Sequence, residues 1–96
     1  MIIKRQIYRE VHGTDQAGAV LALRKLAEKS EQVAQEAMNN GDYRRAQQKY
    51  HIAAQFLHYA MGRWPPIEEL RQIKEAQDFA LRQWYLLSVC KSTLRN

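Results

Sequence analysis

The apolar positions of this chain fall into three runs of helical spacing separated by two short breaks. In the first run Ala19, Leu23, Leu26, Ser30, Val33 and Ala37 recur at steps of four and three. Val20, Ala27, Ala34 and Met38 widen that stripe to a face, as an amphipathic helix requires. Thr14 or Asp15 can cap the free N–H groups at its start. Asn39-Asn40-Gly41 predicts its end, because Asn and Gly accept the left-handed backbone of a helix C-terminus. The second run is the most regular: Tyr43, Ala46, Tyr50, Ala53, Leu57, Ala60 and Trp64, with Ala54, Phe56 and Met61 beside it. Large residues alternate with alanine there, so a neighbouring helix can come close at each alanine while the bulky side chains fill the space between. Asp42 is placed to cap this helix, and Pro65-Pro66 must stop it. In the third run Leu70, Ile73, Ala76, Ala80, Trp84 and Leu87 share a face, joined by Phe79, Leu81 and Leu86. Pro66 suits its first turn, with Glu68 and Glu69 at the positive end of the helix dipole.

Short connections make consecutive helices antiparallel. The expectation is therefore an all-α fold: an antiparallel three-helix bundle over residues 14–96, preceded by an N-terminal arm over residues 1–13. In the arm, Ile3, Ile7 and Val11 repeat every four residues, yet Ile2, Ile3, Ile7, Tyr8 and Val11 also suit a strand, so it is read as helix or extended. Four pairs stand one turn apart on the polar sides and predict local ion pairs. They are Arg24–Glu28, Arg71–Glu75, Lys74–Asp78 and Asp78–Arg82.

Composition narrows the class. At 96 residues there is room for one domain, and 46% apolar with 26% charged residues is the balance of an ordinary globular chain. The single cysteine, Cys90, excludes an internal disulfide. No stretch is apolar for long enough to span a membrane, and Gln6, Arg9 and Glu10 break any signal-peptide core, so a cytoplasmic protein is expected. His51 and His58 share a face but stand about 10.5 Å apart along a helix, too far to ligate one metal. There is no glycine-rich phosphate loop, no HExxH and no nucleophile–base pair. The reading is a protein without catalytic activity, cofactor or metal.

The net charge of +5 brings an anionic partner into view. Its excess lies in the second helix and the arm: Arg44, Arg45, Lys49 and Arg63 face only Asp42, and Lys4, Arg5 and Arg9 face only Glu10. Arg44, Arg45, Lys49, Lys4, Arg5 and Arg9 are the candidate phosphate contacts of a small basic nucleic-acid-binding accessory or regulatory protein, of phage or plasmid type. No helix-turn-helix or zinc-finger spacing accompanies them. The same residues also suit a solvated face.

The segment Gly41-Asp42-Tyr43-x-x-Ala46-x-x-x-Tyr50-x-x-Ala53 resembles the central turn of a tetratricopeptide repeat, and Ala34 stands where that repeat places a small residue. His58 takes the place of its terminal proline, and no second copy follows. The segment also resembles the microtubule-interacting-and-trafficking (MIT) domain, a three-helix relative of that repeat. Asp42, Tyr43, Ala46, Tyr50, Ala53 and Ala60 align with its central motif without a gap, with Phe56 and Leu57 near its aromatic–aliphatic pair. The likeness spans residues 20–90. Gln47 and Lys49 replace two leucines of the family, and the third helix offers no distinctive match. The resemblance implies a protein-interaction module that captures a helical peptide in a groove between the third helix and a neighbour. The candidate groove residues are Ala54, Met61, Phe79, Tyr85 and Leu86. Three helices of this size cannot easily enclose Val20, Phe56, Met61, Phe79, Tyr85 and Leu86 as well as both tryptophans. A homodimer seam on the third helix is the other use of that surface.

Overall fold

The computed structural model describes residues 16–94, and side chains from 17 to 89. The expected arm over 1–13 with Lys4, Arg5 and Arg9, the Thr14 or Asp15 cap and the side chain of Cys90 lie outside these. Three helices make up the fold: α1 (Gln16–Asn39), α2 (Tyr43–Met61) and α3 (Ile67–Leu94). Among the described residues there is no strand. No helix among them is long and apolar enough to cross a membrane.

The α1–α2 turn closes as its sequence predicts. Gly41 takes the left-handed backbone (φ 77°). The Asp42 amide reaches back to the Ala37 carbonyl at 2.8 Å and the Gly41 amide to that of Met38 at 3.0 Å, the paired bonds of a Schellman end. Asp42 then caps α2, its Oδ1 accepting from the Arg45 amide at 3.2 Å. Pro66 stands one place earlier than expected: its carbonyl accepts from the Leu70 amide at 2.8 Å, so it flanks α3 rather than opening its first turn.

The middle helix is the hub, with α1 and α3 both packed along it. Alanine dominates the interfaces: Ala19, Ala27, Ala34 and Ala37 from α1, Ala46, Ala53, Ala54 and Ala60 from α2, and Ala80 from α3 are all buried. Val20, Leu23, Phe56, Leu57 and Ile73 fill the spaces at one end of the bundle, and Tyr50 and Leu87 at the other. Small residues let the backbones approach closely, and two side chains bridge directly to the α2 main chain. Ser30, the polar residue in the first stripe, is buried and donates to the Lys49 carbonyl at 2.7 Å. Gln77 donates from α3 to the Ala54 carbonyl at 3.4 Å.

Several expectations are corrected. Val20 and Phe56 are enclosed, because the alanines around them leave room. Tyr43 and Trp64, read as the two ends of the α2 stripe, are exposed, since the neighbouring helices give them no cover there. Leu81 is exposed as well, and Trp84 is on the margin, its ring 5.6 Å from that of His51, whereas Phe79, Tyr85 and Leu86 stand exposed as the surplus of apolar residues implies. Arg24 pairs not with Glu28 but across the bundle with Glu69 at 3.1 Å, with Gln72 beside it at 3.4 Å. Arg71 meets Glu68 at 3.7 Å rather than Glu75, while Lys74–Asp78 forms at 3.9 Å.

Candidate functional site

The site is built on the flank of α3 that turns toward α1. Ala76, Phe79, Gln83 and Leu86 follow one another there at steps of three and four. Ala76 and Gln83 are partly buried, whereas Phe79 and Leu86 remain 47% and 46% exposed. Phe79 and Leu86 are seven residues apart, about 10.5 Å of helix, the separation of two anchors on one face. Phe79 stands edge-on to Tyr50 of α2, with ring centroids 6.4 Å apart, which fixes the side of the helix on which it lies.

Between α1 and α3 a groove of about 380 Å³ has Leu57 of α2 as its floor. Ala27 and Ala76 contribute its small walls, and Arg24, Lys25, Glu28 and Glu31 its charged edge. Arg24 is already engaged with Glu69, which leaves Lys25, Glu28 and Glu31 as a mixed charged edge. Burial raises the Glu31 carboxyl above its ordinary range, and the neighbouring Glu28 raises it further. Tyr50 is pushed the same way, first by burial and then by the charge of Glu31. Its hydroxyl donates to the Met38 sulfur at 3.8 Å. Glu31, Tyr50 and Phe79 thus form a chain of neighbours from α1 through α2 to α3.

Of the five residues expected to line a groove, Phe79 and Leu86 share one half-exposed face of α3. Tyr85 is exposed but lies about 100° around the helix from Leu86. Ala54 is buried beneath Gln77, and Met61 is half-buried against the core, so neither offers a partner free surface between α2 and α3. Leu57, Ala76, Glu31 and Tyr50 belong to the site and were not singled out for it. Their register across three helices leaves no local signature. Among the candidate phosphate contacts, Arg44 and Arg45 are exposed on α2, whereas Lys49 is half-buried on the side toward α1. Compared with family models, with curated proteins and with solved structures, the chain matches none.

Proposed function

We propose that this chain is a small helical protein-interaction module that receives a partner helix, or a second copy of itself, along the α1-facing flank of α3. The observation that carries this reading is the half-exposed pair Phe79 and Leu86 on one face of α3, in line with Ala76, which walls the groove floored by Leu57. Full burial of a Phe or Leu side chain stabilises by about 1.5–3 kcal/mol, and roughly half of that is still to be gained at each residue. An amphipathic helix laid along this flank of α3 would meet both through its own residues at a seven-residue spacing.

The test is the double variant Phe79→Gln with Leu86→Gln. Glutamine keeps helix propensity and brings no further acid near Glu31. Sedimentation velocity at micromolar concentration reads self-association, and cross-linking with mass spectrometry in the native host reads other partners. The variant should stay folded with a cooperative melt, lowered only by the covered half of the two side chains, and lose the association that wild type displays. Identical association in the two proteins would refute the assignment of this flank.

A further inference from the structure

A different face of the molecule presents cations without carboxylates. Between Tyr43 and Met61 there is no Asp or Glu, and the acid that precedes the helix, Asp42, is occupied in capping it. Along the exposed side of α2, Arg44, Gln48, His51, Gln55 and His58 follow at steps of four and three, with Arg44 the permanent cation and the His51 ring at the margin, 5.6 Å from that of Trp84 on α3. All are exposed except the half-buried Gln55. The ladder is about 21 Å long, the length of about six stacked nucleotides at 3.4 Å each. The ion pairs among the described residues lie on α1 and α3, and none draws on an α2 cation.

A second observation stands at the end of that ladder. Trp64 is 86% exposed and takes the left-handed backbone (φ 58°), which is unfavourable for a bulky L residue. The other left-handed turn described here is made by Gly41. At this one the available glycine, Gly62, lies two residues early in right-handed backbone (φ −70°). The chain therefore holds an indole out in water, beside Arg63, at the expense of a relaxed turn. The Trp64 amide donates to the Met61 carbonyl at 3.3 Å, closing the last turn of α2 ahead of Pro65-Pro66, a position that glycine would fill without strain. Backbone strain at a bulky residue clusters at ligand-binding and switch sites.

We propose that α2's outer face and Trp64 form a binding surface for single-stranded nucleic acid, with phosphates along the Arg44–His58 ladder and a base stacked on the indole. Single strands offer both a charged backbone and free base faces, which cations and aromatic rings recognise without sequence preference. A duplex keeps its base faces stacked inside, and an acidic protein would use the cations while leaving the indole idle. This surface shares no residue with the Phe79–Leu86 flank, so the two readings stand or fall separately.

The experiment titrates the full chain into a labelled twelve-residue oligothymidylate and its oligouridylate counterpart at stepped salt, reading anisotropy and tryptophan quenching. The homologous duplex and phosphatidylserine-containing vesicles are the comparison probes. Single strands should bind, quench the emission and lose affinity with salt at a log–log slope of about −0.7 per phosphate contacted. Trp64→Gly relaxes the turn, so it should melt no lower than wild type while weakening single-strand binding about tenfold and keeping the salt slope. Arg44→Gln with Arg63→Gln should flatten the slope and keep the quenching. Absence of single-strand binding at low salt, or unchanged binding in Trp64→Gly, would overturn the proposal. So would a duplex bound as tightly as the single strand, or vesicles bound in place of oligonucleotides.

Discussion

Replacing Ala53 by leucine tests whether the alanine face of α2 is the core that the packing describes. Ala53 is fully buried between Tyr50 and Leu57, in the cluster that includes Val20, Leu23 and Ala27 of α1. The Ser30 hydroxyl, 2.7 Å from the Lys49 carbonyl one turn away, sets how close the α1 and α2 backbones stand. Three added carbon atoms would contribute about 2.4 kcal/mol at 0.8 kcal/mol each if space existed to bury them. It does not exist while that hydrogen bond holds. The leucine must push α1 outward or adopt a strained rotamer, and overpacking of this kind costs about 1–3 kcal/mol net. For a domain of this size that is a fall of roughly 4–20 °C in melting temperature. Gln48→Leu is the control, since its side chain faces solvent on the same helix and should shift stability by less than about 0.5 kcal/mol. Thermal and urea melts followed by circular dichroism at low protein concentration read both. If Ala53→Leu melts within about two degrees of wild type, or if both variants shift alike, the assignment of the core face is wrong.

Two further outcomes follow from local geometry. Because the folded-state pKa of Glu31 lies above its unfolded value, its contribution to stability is fully present below the ordinary carboxylate range and is lost as pH rises through the raised value. Glu31→Gln should therefore gain melting temperature relative to wild type between pH of about 4 and 7, and a difference that stays flat over that range would refute the burial of the carboxyl. At the α1–α2 turn nothing stands within 4 Å of a Cβ added to Gly41, so Gly41→Ala should lose only the backbone term of a left-handed L residue, about 1–2 kcal/mol. A melt equal to wild type would count against the φ assigned there.

The helices were legible because each depends on residues close in sequence. Stripes at steps of three and four, the Asn39-Asn40-Gly41 exit, the Asp42 cap and the Pro65-Pro66 break are all local signals. What periodicity does not encode is how many sides of a helix have neighbours. Phe79 and Leu86 belong to the apolar arc of α3, yet α3 packs mainly along α2, reaching α1 through Arg24–Glu69, and the arc is wider than that contact. For the same reason Val20 and Phe56, read as surplus, were enclosed where alanines from two helices leave a space. Arg24 bonded to Glu69 rather than Glu28 because an acid at a distant helix start comes closer than the one on its own helix. The Glu31–Tyr50–Phe79 neighbourhood draws one residue from each helix and has no spacing to betray it. Trp64 was placed inside because its step from Ala60 is helical, but the chain leaves the helix at Met61 before that step is completed.

The distribution of side-chain size separates what holds this fold from what it offers to others. An alanine methyl contributes about 0.8 kcal/mol on burial, against about 1.5–3 kcal/mol for a larger apolar side chain. The interfaces are nevertheless lined mainly with alanine, while Phe79, Tyr85, Leu86 and Trp64 stand outside. A chain selected for stability alone would place its largest apolar groups where alanines now lie and move its helices apart to fit them. Here close approach, with two hydrogen bonds onto the α2 backbone, substitutes for bulk. Trp64 then carries little of the folding free energy, and Phe79 and Leu86 only the part already covered, so polar replacements there can remove association at a modest cost in melting temperature. A poorly filled core behaves in the opposite way, because there the same replacements would move stability and association together.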